Sequence, residues 1–323
     1  MKILFPIVSL AFALFYCADA NAQQEYTTTN YTHDLAPVKV SIAVLAIENI
    51  LTPITAGILV EGHLNDKLFY NLQLRQGYLR NFMIPKDKLI TTQKESKGTV
   101  FEVGADWSFS EKMESGNVKV TTSSSFDGTY LREKSFKAKC EVRKYWAISG
   151  GAMVYARPKY INSDSSQYII SGSEDIKAPQ DQYTHFNQST FGVYGGIAHR
   201  KIKKAIVKSD GWNYRVFYST RFYAHLLVGS TTVGDIIYNG QTLPVDNAKQ
   251  MPLGYRLGWQ WDQMGVVSGI EFGKMPGVSL ETPVEADELS KIFQNNPFLN
   301  FFRFTFHYSI FNGDKNYHMK SKK

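Results

Sequence analysis

The chain has 323 residues, 43% of them hydrophobic and 14% aromatic, with a formal net charge of +7. The apolar share excludes a disordered polymer. A charge of +7 spread over this length does not by itself point to nucleic acid, and no helix-turn-helix, zinc-finger or RNA-binding pattern is present in the sequence.

The first element is a leader. Lys2 supplies a short positive region, residues 3–16 are apolar apart from Pro6 and Ser9, and Ala20-Asn21-Ala22 gives a small-x-small pattern. This predicts a signal peptide over residues 1–22, cleaved after Ala22. The apolar stretch is shorter than the ~20 residues a spanning helix needs. Cleavage removes Cys17 and leaves Cys140 alone, so neither an intramolecular disulfide nor a cysteine-rich metal site can form. No cofactor is expected. Only helices and closed barrels satisfy their backbone in lipid, and no later segment reads as a spanning helix. The mature chain is therefore either a soluble protein or a barrel.

Period-two alternation then recurs along the chain. Residues 23–53 form an N-terminal segment in which 37–47 is the best candidate for a first strand, and 54–64 alternates weakly. In 68–78, Leu68, Tyr70, Leu72 and Leu74 oppose Asn71, Gln73 and Arg75. In 100–110, Phe101, Val103, Trp107 and Phe109 oppose Glu102, Gly104, Asp106 and Ser108. Weaker copies cover 145–156, 190–200, 212–228 and 266–273. In 253–262, Tyr255, Leu257, Trp259 and Trp261 oppose Arg256, Gly258 and Gln260; in 302–310, Phe302, Phe304, Phe306 and Tyr308 oppose Arg303, Thr305 and His307. Such a period puts the two sets on opposite faces of a strand.

The pattern predicts an all-β fold, a closed antiparallel transmembrane β-barrel over residues 54–311 of about ten strands, with eight or twelve open. Residues 118–125 and 131–142 either substitute for the tenth strand or form a hairpin extension around Asp127-Gly128. Asn65-Asp66 and Gln263-Met264-Gly265 read as tight turns, whereas 81–99, 158–189, 229–252 and 274–297 read as long polar loops on one side. Residues 111–144 break this short–long alternation.

Size decides which face is buried. A ten-stranded interior has no room for the many Trp, Phe and Tyr of the apolar faces, whereas Gly beside long charged residues suits a narrow lumen. An Arg facing the bilayer midplane costs roughly 2–4 kcal/mol. Glu61, Arg75, Glu102, Asp106, Arg215, Arg221, Arg256, Glu271 and Arg303 are therefore expected to line the lumen and pair there. They form either a charged pore or a salt-bridged interior.

With its leader, its alternation through 54–311 and its aromatic last strand, the chain resembles small outer-membrane β-barrel proteins of Gram-negative bacteria, of the opacity or porin-like kind. The resemblance implies an outer-membrane location and contact with outer-membrane lipid. It also implies that Phe304, Phe306, Tyr308 and Phe311 serve as the signal read by the barrel-assembly machinery. A basic polar tail, 312–323, follows them. The resemblance is architectural and brings no catalytic motif.

Other chemistry is weakly supported. His185 and Ser189 in residues 183–189 suggest a lipid-acting enzyme, but four residues span about 13 Å of strand, far beyond the ~3 Å that a base and nucleophile require. His63, His225 and His307 share the polar parity but come from separate strands, so no metal site is expected. The basic runs 132–144 and 200–208 read either as solvated turns or as contacts with anionic polymer or headgroups. Residues 285–293 read as a short helix in the last loop. The expected function is a non-enzymatic outer-membrane barrel, structural or a narrow porin-like pore. The alternative is a surface binding or adhesion module on the long loops. The solute or surface ligand is not specified by the sequence.

Overall fold

The computed structural model describes residues 26–30, 35, 38–48, 55–77, 98–126, 131–162, 183–209, 211–238, 241–243, 248–263, 265–280 and 301–312. The leader, much of the loops, the 285–293 segment and the tail after residue 312 lie outside the described residues.

The described residues form fifteen strands: β1 (Thr27–Asn30), β2 (Val38–Glu48), β3 (Thr55–His63), β4 (Leu68–Gly77), β5 (Thr99–Phe126), β6 (Leu131–Asn162), β7 (Tyr183–Ser209), β8 (Trp212–Val233), β9 (Ile236–Tyr238), β10 (Gln241–Leu243), β11 (Ala248–Met251), β12 (Leu253–Gln263), β13 (Val266–Lys274), β14 (Gly277–Leu280) and β15 (Phe301–Asn312). Strands β2 to β8, β12, β13 and β15 each pair antiparallel with both neighbours, and β15 pairs back onto β2. The result is a closed ten-stranded barrel, and the tenth strand is β2, the 37–47 candidate. The turn at 64–67, Gly265, the start of β2 and the end of β15 all lie at one end, here the turn end; the opposite strand ends, from which the long connections leave, form the loop end.

Strands β5, β6, β7 and β8 have 28, 32, 27 and 22 residues. A tilted bilayer span takes about 9–11. The excess projects past the turn end as two hairpins, which resolves the break in the loop pattern at 111–144: the same two strands simply continue. Pairing of β6 with β7 stops at Arg143↔Ile202, and β1 then pairs with β7 opposite residues 205–208. Tyr26 and Asn30 accept hydrogen bonds from the backbone N–H groups of Lys139 and Glu141 on β6 at 3.0 Å each.

Burial changes parity at this boundary. Within the barrel wall of β6, Tyr145, Ala147, Ser149, Met153 and Tyr155 are buried; beyond it, Phe136, Ala138, Cys140 and Val142 are. On β7 the buried set switches from Tyr194, Ala198 and Ile202 to Ala205 and Val207. The face that points away from the lumen in the barrel thus becomes the packed face of the extension. There Val118, Val120, Phe136, Ala138, Cys140 and Val142 of one hairpin pack with Ala205 and Val207 of the other, flanked by Tyr26, Tyr214 and Val216. The extension is a small sandwich with its own core, built from side chains on the face that points outward in the barrel.

Candidate functional site: the filled lumen

Inward side chains fill the barrel in three layers. In the middle layer, Arg256 donates to both oxygens of Glu102 at 2.9 and 2.7 Å, and Arg221 grips Asp106 at 2.7 and 2.6 Å. Asp106 also takes a bond from Ser149 Oγ at 2.7 Å and faces Arg200 at 3.5 Å. His225 joins the two pairs, with Nε2 2.9 Å from Ser149 Oγ and Nδ1 3.1 Å from Arg256 Nη2. Its ring stacks between Tyr194 and Tyr223, with centroids 4.7 Å away on each side. The guanidiniums of Arg256 and Arg221 lie over Tyr194 and Tyr223 at 4.6 and 4.5 Å.

Glycine makes room for this column. A Cβ on Gly104 would sit 2.1 Å from Tyr194 Oη, and one on Gly258 would sit 2.1 Å from Tyr223 Cζ. Each tyrosine ring therefore fills the space of a missing side chain on another strand. This is why small and long residues share the polar faces.

At the loop end the lumen is closed by an apolar layer of Val100, Met153, Tyr155, Tyr194, Leu227, Met275 and Phe301. The chain leaves β13 at Gly273, whose φ of 154° suits glycine, and Met275, Pro276, Gly277 and Val278 are all buried in the mouth. Tyr155 donates to the Pro276 carbonyl. At the turn end, Lys39 pairs with Asp262, Gln260 donates to Glu61 at 2.8 Å, and Glu271 receives Arg303 and Tyr223. Among the described residues, cavities of about 80 and 40 Å³ lie between these side chains. Each holds a few waters at most.

Eight of the nine expected lumen residues face inward. Arg75, Glu102, Asp106, Arg221, Arg256 and Arg303 are buried, and Glu61 and Glu271 line the cavities. Arg215 is the exception. It has the right parity, but it pairs opposite Ile206 in the extension, past the barrel rim, because β8 begins well below the wall. Phe304, Phe306 and Tyr308 point outward on β15, and Phe311 follows a register shift, 53% exposed. The alternation over 37–47, 145–156, 190–200 and 212–228 is too weak to single out Lys39, Ser149, Tyr194 or Tyr223, and Asp262 is legible only as one of the polar-face residues of 253–262. A bulky Tyr194 between Gly192 and Gly196 on the inward parity was the available signal.

His185 and Ser189 occupy one uninterrupted strand, so no turn brings them together. Ser149 and His225 do meet, but their bonds run the wrong way for catalysis. Arg256 can only donate, so His225 Nδ1 accepts and Nε2 carries the proton. A nucleophilic serine needs Nε2 as acceptor. His63, His225 and His307 all face the lumen, and among the described residues no group of His, Cys, Asp and Glu is placed to hold a metal ion.

No protein-family model matches the chain, and searches of curated proteins and of solved structures give no significant match. What can be said of function therefore rests on the barrel itself. Its outer surface carries exposed apolar side chains on every strand of the ring: Ile42, Ile58, Leu72, Phe101, Trp146, Phe191, Phe222, Trp259, Phe272 and Phe302 come from ten different strands, and each is at least 36% exposed.

Proposed function

We propose that the protein is an integral outer-membrane β-barrel with a sealed interior, a structural anchor that holds the sandwich extension at the membrane surface. One observation carries this reading: an apolar band encircles the ring while Arg, Glu and Asp pair inside it. On β5 the band runs from Phe101 to Phe109, about 26 Å of strand, or roughly 20 Å along the axis at a ~40° tilt. That is close to the lipid-facing band of such barrels. A continuous exposed apolar surface of this extent is untenable in water. The aromatic residues of β15, at the closing seam, are the segment offered to the assembly machinery.

Between the two pore readings, the structural one is favoured. Among the described residues, the stacked Tyr194–His225–Tyr223 column and the inserted residues 275–278 fill the lumen, and the cavities beside them measure about 80 and 40 Å³.

Two measurements test the proposal. The protein extracted in detergent from the outer-membrane fraction should migrate faster on gels unheated than boiled. In planar bilayers it should give no stepwise conductance. A folded monomer that needs no detergent would refute the membrane reading; regular channel steps would refute the seal.

A further inference from the structure

One row of side chains is left unexplained by a sealed barrel. Lys112 pairs opposite Lys144, and Lys144 pairs opposite Lys201, so three lysines stand side by side across β5, β6 and β7. All three are on the outward face. Like charges directly opposite one another destabilise a sheet. Among the described residues a single acid answers them: Glu114 bonds Lys112 at 2.9 Å and also Lys144, and no acid pairs with Lys201. Lys203 adds a fourth cation one outward position below Lys201, bound to the Asn117 carbonyl of the other hairpin.

The depth of this row is specific. One outward position nearer the barrel, Trp146 pairs with His199, their rings 4.8 Å apart. Ile148 and Ile197, 54% and 50% exposed, begin the apolar band above them. One position further out, Val142 is already in the sandwich core. The lysines thus occupy the single level between acyl chains and water, in the cleft where the two hairpins part. Solvation alone would not require four cations to converge there. Elsewhere on the extension Lys119 also stands opposite Lys137, but Lys119, Lys137 and Lys139 are all exposed and lie further from the barrel than Val142.

We propose that Lys112, Lys144, Lys201 and Lys203 form a binding site for the phosphate of an anionic phospholipid in the leaflet at the turn end, its acyl chains lying over Trp146 and Ile148. The site rests on the membrane reading above and adds a named lipid class to it. The bound phosphate supplies the negative charge that the row lacks and ties the sandwich to the bilayer surface.

The full chain is placed in nanodiscs of equal phosphatidylglycerol and phosphatidylcholine, and the lipids retained on the ejected protein are counted by native mass spectrometry. The parent should retain phosphatidylglycerol preferentially. Each lysine near an anionic surface is worth about fivefold in binding, so Lys112→Gln/Lys144→Gln/Lys201→Gln should lower the preference by at least that factor. Lys119→Gln/Lys137→Gln/Lys139→Gln removes equal charge from the solvent face and should leave it unchanged. Lys201→Gln alone, which breaks no recorded ion pair, should still lower it and keeps the test open if the triple variant fails to fold. Added inorganic phosphate should not displace the lipid. Equal retention by parent and row variants, an equal loss in the solvent-face variant, or displacement by phosphate would each overturn the proposal. Heat-modifiable migration of every variant separates this outcome from failure of the membrane reading.

Discussion

Replacing Arg256 by Met discriminates a dry interior from a wet one. The Arg256 and Glu102 side chains are 2% and 8% exposed and share two bonds of 2.9 and 2.7 Å. Removing the arginine leaves a carboxylate in a tyrosine-lined space with only weak remaining partners. An unpaired buried charge of this kind costs about 3–5 kcal/mol. If the lumen were an open aqueous path, the pair would behave as an exposed salt bridge, and its loss would cost about 1 kcal/mol or less. The double variant Arg256→Met/Glu102→Leu removes both charges and should recover most of the loss, since buried pairs replaced by apolar groups are often neutral. Urea unfolding in lipid vesicles, followed by the gel shift between folded and unfolded forms, gives the three free energies. A single-variant cost near 1 kcal/mol, or a double variant as unstable as the sum of its parts, would refute the sealed charge-paired lumen.

Four further outcomes follow from the same geometry. Gly258→Val forces a side chain into the ring of Tyr223, 2.1 Å from the new Cβ, and should cost about 1–3 kcal/mol in the same unfolding assay, with part of it regained on adding Tyr223→Ala. Deleting residues 275–278 removes the inserted segment from the mouth and should raise the small-ion leak in planar bilayers above the parent level. The buried Cys140 thiol is pushed up by desolvation, so maleimide should label it slowly near neutral pH until the sandwich opens. Because its folded pKa is raised, the stability it contributes is present below the ordinary thiol value and is lost as pH rises through the folded one. Glu114 works in the opposite sense. Hydrogen bonds from Lys144 and Lys112 hold its carboxyl at about 2, so its interaction with the lysine row is complete above the usual glutamate range and is lost only as pH falls through that value. Carboxyl NMR titration checks this.

Much of the barrel was legible because period two is a local signal. Each strand declares its two faces within about ten residues, and Glu102, Asp106 and Arg256 could be assigned to the inward set from their own neighbours. The hairpin extension was harder. Residues 118–125 and 131–142 show strand character, but nothing nearby says that the packed face has changed sides. That change depends on what lies opposite each face: Val142 packs in the sandwich core, whereas Ile148 on the barrel wall is exposed.

Alternation, aromatic content and the sign of the buried cost of arginine determined from sequence alone that these strands close on a polar interior. Which acid meets which arginine, that tyrosines fill glycine gaps on other strands, and that residues 275–278 turn back into the mouth were decided only in three dimensions. Pairs such as Arg256 with Glu102 are separated by 154 positions, and their meeting is set by the stagger of strands around the closed ring. No window along the chain carries that quantity.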